Sequence, residues 1–202
     1  MQGAAPNVAG VLLAGGRSTR MGGRNKAFAA VGGEAIAART IRVLRETFPQ
    51  VIVATNAPEA YTRFDVEVVA DVFPGAGPLA GLHAAMRVAR HPYVFAVACD
   101  MPGLDASVIR HLVGRIGDAD AVVPCWDGDI EPLHAVYAVR LLPLVERCLA
   151  EGRPAMRDFL PLVRVDWVRE SELRALAAAA ASFTNVNTPE ELAAVGGRFD
   201  DA

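Results

Sequence analysis

No apolar run in this 202-residue chain reaches the roughly 18 positions that a membrane-spanning helix needs, although 52% of the residues are apolar. No membrane partner is therefore expected. The opening residues, MQGAAPNVAG, lack the basic and long apolar segments of an export signal, which predicts a cytoplasmic location. Cysteine is scarce. Cys99, Cys125 and Cys148 are odd in number, widely spaced and without a CxxC pair, which argues against a disulfide framework or zinc site and for reduced core thiols. His83, His91, His111 and His134 show no metal-ligand spacing, and no Ser-His-Asp or Cys-His arrangement can be argued. Positive charge is not in excess either. A net charge of −3 gives no overall pull toward nucleic acid or anionic lipid, so the expected ligand is small. There is no internal repeat and no low-complexity tail.

What the chain does have is an alternation of short apolar runs and amphipathic stretches, in a length that suits one α/β domain with a sizeable core. The expected boundaries are a single domain over 1–202, with 1–7 and 196–202 flexible. A mostly parallel sheet flanked by helices follows from the order of the segments.

Residues 8–26, VAGVLLAGGRSTRMGGRNK, stand out. Val8, Val11, Leu12 and Leu13 suit a strand buried on both faces, and Gly15 and Gly16 end it where backbone N–H groups can approach an anion. Arg20 and Lys26 add a bidentate guanidinium and a mobile ammonium, complementary ways of holding a polyphosphate. The P-loop is excluded, because Gly23 is followed by Arg24, Asn25, Lys26 and Ala27 rather than by Lys and Ser or Thr; GxGxxG is absent as well. The competing reading is an ordinary strand-to-helix turn with a solvated basic loop.

A turn at 31–34, a helix over about 37–48 closed by Pro49, and buried strands at 51–53 and 66–69 come next. The two strands end near Asn56 and at Asp71. Residues 74–81, PGAGPLAG, lead into a helix, with Pro78 near its first position. The strand YVFAVA over 93–98 then runs through Cys99 into Asp100. A carboxylate directly after a buried strand lies at the rim of a parallel sheet, where ligands bind, and beside a triphosphate its natural partner is Mg²⁺. Asp100 as a turn or capping residue is the plainer alternative.

Asp105 is expected to cap a helix, and 121–123 to begin another strand. Residues 126–137, with the turn WDGD and the segment EPLHAVY, read as an antiparallel insertion near the sheet edge that walls an acceptor pocket, where His134, beside Glu131, is placed to assist binding or proton transfer. An amphipathic helix at 140–149, a short helix at 154–160 and an edge strand at 163–168 follow. The Ala-rich stretch 172–181 is predicted to be a helix. Thr188, Pro189 and Glu191 form the pattern of a capping box. Asn185 and Asn187 face one side of an extended segment, to bind a polar ligand or to brace a loop.

LLAGGRSTRMGGRNK, GAGPLAG, CDMP, EPLHAVY and NVNTPEEL together resemble the molybdenum cofactor guanylyltransferases over residues 8–195. The resemblance implies a Rossmann-like nucleotidyltransferase fold that uses GTP and Mg²⁺ to join GMP to molybdopterin or molybdenum-molybdopterin, with pyrophosphate released. It assigns Leu13, Ala14, Gly15, Gly16, Lys26, Asp71, Gly77, Pro78, Leu79 and Asp100 to GTP, Asp100 to the metal, and Asn185 and Asn187 to the pterin. Arg20, Lys26 and Asp100 are the expected catalytic residues. Transient contacts with other cofactor-biosynthesis proteins are implied too. Two positions depart from the pattern: Asn25 stands where many relatives have Asp, and Ala54 where some carry an Asn that touches the nucleotide, with Asn56 a candidate substitute. A cytidylyl or sugar-phosphate transferase of the same fold, and a non-catalytic nucleotide sensor, are the other function classes.

Overall fold

The computed structural model describes residues 7–15 and 25–199; Gly16 and Arg20 lie outside the described residues. Along the chain β1 (Val8–Leu13) is followed by β2 (Ala30–Val31), β3 (Glu34–Ala35), α1 (Ile36–Thr47), β4 (Val51–Ala54), β5 (Glu67–Val69), α2 (Gly77–Val88) and β6 (Tyr93–Ala98). Then come α3 (Ala106–Val113), β7 (Ala121–Trp126), β8 (Asp129–Ile130), β9 (His134–Ala138), α4 (Leu142–Ala150) and α5 (Met156–Phe159). The chain closes with β10 (Val165–Val168), α6 (Glu170–Leu173), α7 (Ala179–Ser182), α8 (Pro189–Ala194) and β11 (Gly197–Arg198). Among the described residues, no helix is long and apolar enough to cross a membrane.

The main sheet has the order β10-β7-β9-β6-β1-β4-β5, with β8 paired to β7. β1 runs parallel to β4 and to β6, and β4 parallel to β5. The chain thus winds outward from β1 through β4 to β5, then returns to the other side of β1 as β6. That reversal between β1 and β6 is the switch point at whose carboxyl end α/β sheets bind ligands. Both strands finish there in register, Leu13 opposite Ala98.

Period-2 alternation splits the core into two layers. Val8, Leu12, Phe95 and Val97 pack on the side of α1 and α3; Ala9, Val11, Val94 and Ala96 pack on the side of α2 and α4. Truncating a fully buried side chain such as Leu12 to Ala would cost about 2–5 kcal/mol. At Gly10 a Cβ would lie 2.7 Å from the Phe48 ring, so the glycine lets α1 approach the sheet closely.

Two expectations are corrected. The segment EPLHAVY contributes β9, which is antiparallel as expected but interior, between β6 and β7, with all five residues buried. The polar turn before it suggested an edge; the unbroken apolarity of AVYA is what a strand covered on both faces requires. The Ala-rich helix is broken. α6 and α7 are separated by i to i−3 turns, Leu176 N–H donating to Leu173 C=O at 2.8 Å and Ala179 N–H to Leu176 C=O at 3.0 Å. Leu173, Leu176 and Ala179 all pack into the core at a spacing of three, which a 3₁₀-like path aligns on one face, so tertiary packing overrides helix propensity. Gly197–Arg198 add a third antiparallel strand to the β2/β3 hairpin.

Candidate active site

The end of β1 brings Leu13 and Gly15 to the crevice. Ala14 N–H donates to Ala54 C=O at 2.8 Å and Cys99 N–H to Leu13 C=O at 3.2 Å, so the turn out of β1 is bound to both neighbouring strands. A cavity of about 170 Å³ opens here, with Leu13, Lys26, Ala54, Pro78, Asp100 and Leu133 in its wall. A second, of about 340 Å³, lies against Ala14, Asn25, Thr55 and Asn56. Gly15, Asp71 and Gly77 border both, so the two form one continuous cleft at the switch point. Gly77 has φ +67, a conformation that favours glycine, where the chain enters α2 beside this cleft.

Lys26 is delivered by a short 3₁₀ turn, residues Lys26–Phe28, whose cap is Asn25: its Oδ1 accepts from Ala27 N–H at 3.1 Å. The departure at Asn25 is thereby explained, since an Asn amide oxygen caps as an Asp carboxylate does. Lys26 Nζ donates to Asp100 Oδ2 at 2.6 Å and to Asn187 Oδ1 at 3.1 Å. The other oxygen, Asp100 Oδ1, is buried and has no partner among the described residues. Val186 N–H donates to Asp100 C=O at 2.9 Å, which ties the C-terminal segment to the end of β6. Of the two paired asparagines, Asn187 therefore joins Lys26, while Asn185 lies half-buried two residues upstream.

Asp71 and Asn56 clamp one another. Asn56 Nδ2 donates to Asp71 Oδ2 at 2.8 Å and Asp71 N–H to Asn56 Oδ1 at 3.2 Å, leaving Asp71 Oδ1 buried at the cavity with no partner among the described residues. Ala54 is buried in the floor and leaves room there. Gly77 and Pro78 line the cavity, whereas Leu79 is fully buried in the core beneath α2.

His134 is not in an acceptor wall. Its ring is fully buried on β9, with centroids 4.6 Å from Phe183 and 5.3 Å from Phe95, and Nδ1 is 3.4 Å from Met101 Sδ. Burial pushes its pKa down to about 3, so it stays neutral and shielded from substrate. Cys99, pushed up to about 12 mainly by burial and also by the Asp100 anion, is no nucleophile. Glu131 is different. It is only partly exposed, and burial, with the like charges of Asp129 and Asp100, raises its carboxyl to about 7.

The capping box of Thr188 and Glu191 was expected, but sequence reasoning missed the Asn25 cap and the further bond of Glu191 to Asn187 N–H; the only signal available for either was the spacing of cap residues. Among the described residues, no group of three or more His, Cys, Asp or Glu side chains forms a metal cluster.

Comparison with known proteins gives the same placement. Residues 10–185 match the MobA-like NTP transferase domain. A probable molybdenum cofactor guanylyltransferase of Pelotomaculum thermopropionicum is 42% identical over 91% of this chain and 89% of its own length. The molybdenum cofactor guanylyltransferase of Desulfosudis oleivorans is 38% identical over 92% of each chain. Among solved structures, molybdopterin-guanine dinucleotide biosynthesis protein A from Archaeoglobus fulgidus superposes with a TM-score of 0.81 at 27% identity, covering 93% of this chain and 96% of that one. With its Rossmann-like sheet and a cleft at the switch point, this chain is a nucleotidyltransferase and belongs to the molybdenum cofactor guanylyltransferase family.

Proposed function

We propose that this protein transfers GMP from GTP to molybdopterin or molybdenum-molybdopterin and releases pyrophosphate, with Mg²⁺ held by Asp100. The observation that carries the reading is the Lys26–Asp100 pair, one cation and one carboxylate 2.6 Å apart at the rim of the cleft. Asp100 suits Mg²⁺ because its Oδ1 is buried with no partner among the described residues, and this ion typically takes one or two carboxylates and completes its shell with phosphate oxygens and water. Bound there, the ion would neutralise charge on the phosphates.

The remaining work falls to the chain itself. A phosphate nucleophile is ionised near neutral pH and needs no strong general base, which agrees with a neutral, buried His134 and a protonated Cys99. Lys26, steadied by Asn187, orients the phosphates and offsets charge on the leaving pyrophosphate. Gly15, with no side chain in the way, allows the backbone at the end of β1 to approach the nucleotide. Asp71, held by Asn56, presents a free oxygen to hydrogen-bond donors of the nucleoside. Asn187, which accepts from Lys26, is the residue of this reading that meets the pterin.

Thermal unfolding with GTP, CTP, UTP and ATP, each with and without Mg²⁺, tests the nucleotide assignment, since a ligand that binds only the folded state raises its stability. The largest shift is expected with GTP and Mg²⁺. A larger shift with CTP would assign the protein to cytidylyl transfer instead.

A further inference from the structure

We infer that Glu191 is a positioning residue for the transfer reaction, acting through Asn187; this rests on the roles given above to Lys26 and Asp100. Glu191 Oε2 accepts from Thr188 N–H at 3.1 Å, and Thr188 Oγ1 accepts from Glu191 N–H at 3.1 Å. Those two bonds complete the capping box of α8 and are all that ending the helix requires. The same carboxylate oxygen also accepts from Asn187 N–H at 2.5 Å, one residue beyond the box. That third bond falls on the residue whose side chain meets Lys26.

Asn187 is thus held from both sides. Upstream, Val186 is fully buried and its N–H donates to Asp100 C=O. Downstream, Glu191 fixes the Asn187 peptide. Between these anchors the Asn187 amide oxygen stays within hydrogen-bond reach of Nζ, so the ammonium is directed by two acceptors rather than by Asp100 alone. With the carboxylate gone, the peptide at Asn187 can rotate and withdraw its side chain. An ammonium with one acceptor swings about that bond, and misplacement of a group that must follow a moving charge lowers turnover more than ground-state binding.

The alternative is that Glu191 only caps α8. Thr188→Ala separates the two, because it breaks the cap and leaves the bond to Asn187 N–H in place. Pyrophosphate release from GTP with molybdopterin and Mg²⁺ is measured for wild type, E191A, E191Q and T188A, together with Tm and the Asn187 side-chain amide signals by NMR. E191A is expected to lose about tenfold or more in kcat with little change in KM for GTP. Its Asn187 amide signals should move toward those of a solvent-exposed side chain. E191Q, whose amide oxygen accepts from the same N–H groups, is expected to restore turnover. T188A should lose Tm much as E191A does, yet keep kcat within about twofold. The positioning role is overturned if E191A keeps wild-type kcat, or if T188A loses kcat as much as E191A. A wild-type chain that releases no pyrophosphate overturns the functional reading itself.

Discussion

Lys26 Nζ lies 2.6 Å from Asp100 Oδ2, across 74 residues of sequence, because the segment after β1 and the end of β6 meet at the switch point of the sheet. Both side chains are about one-fifth exposed, 22% and 17%, so neither is fully desolvated and the pair adds little net stability. What the pair secures is direction. The ammonium is held between Asp100 and Asn187, and the second carboxylate oxygen has no partner among the described residues. In the proposed reaction an incoming phosphate would compete with Asp100 for Lys26, leaving the carboxylate to hold Mg²⁺.

Lys26→Ala should therefore lower kcat by about 10²-fold or more, the usual scale for deleting one preorganised electrostatic contact. Single-turnover pyrophosphate release measures it. Turnover close to wild type would remove Lys26 from the chemistry.

The cap under Lys26 gives a finer test. Asn25→Asp retains a side-chain oxygen for Ala27 N–H and should leave activity nearly unchanged, whereas Asn25→Ala removes it. Losing a cap bond of about 1 kcal/mol should lower kcat/KM roughly fivefold through a looser Lys26 turn. Equal activities for the two variants would show that the turn holds its shape without the cap.

Asn56→Ala leaves Asp71 free to rotate. One net hydrogen bond of about 0.5–1.5 kcal/mol corresponds to a roughly 2–10-fold rise in the Kd for GTP, readable by calorimetry. An unchanged Kd would mean that Asp71 keeps its orientation without Asn56 or does not touch the nucleotide.

Glu131 predicts a pH dependence. Its folded pKa is raised from 4.5 to about 7, so between those values the folded chain holds more protons than the unfolded chain, and stability falls as pH rises through that window. Glu131→Gln removes the effect. The Tm advantage of the variant over wild type should grow from about pH 4.5 to about pH 7 and then level off. Parallel Tm curves would show that Glu131 titrates normally. His134 acts in the opposite sense: its folded pKa is lowered from 6.5 to about 3, so stability is lost as pH falls through that range. Its ring should read as neutral by NMR at pH 5.

Much of this arrangement was legible in the sequence wherever local pattern decides. The strand over 93–98, the Asp105 cap and the capping box at Thr188 and Glu191 were all expected and are all present. Asp100 and Lys26 were legible as separate residues, but their contact was not, since it depends on which strands become neighbours. β9 was misplaced because a polar turn resembles an edge whatever the strand behind it does. The Ala-rich stretch was misread because propensity cannot see that Leu173, Leu176 and Ala179 must all reach one core. His134 drew notice by standing near Glu131 in sequence, yet β9 is covered on both faces and the ring is buried against Phe95 and Phe183.

The most direct test of the central claim is pyrophosphate release from GTP with molybdopterin as acceptor, measured against Mg²⁺ concentration for wild type and Asp100→Asn. The account expects turnover in the wild type that saturates with Mg²⁺, and in the variant a fall in kcat with the Mg²⁺ requirement shifted to higher concentration, because a neutral amide is the poorer ligand. Wild-type release that ignores Mg²⁺, or an identical Mg²⁺ dependence in the two proteins, would contradict it.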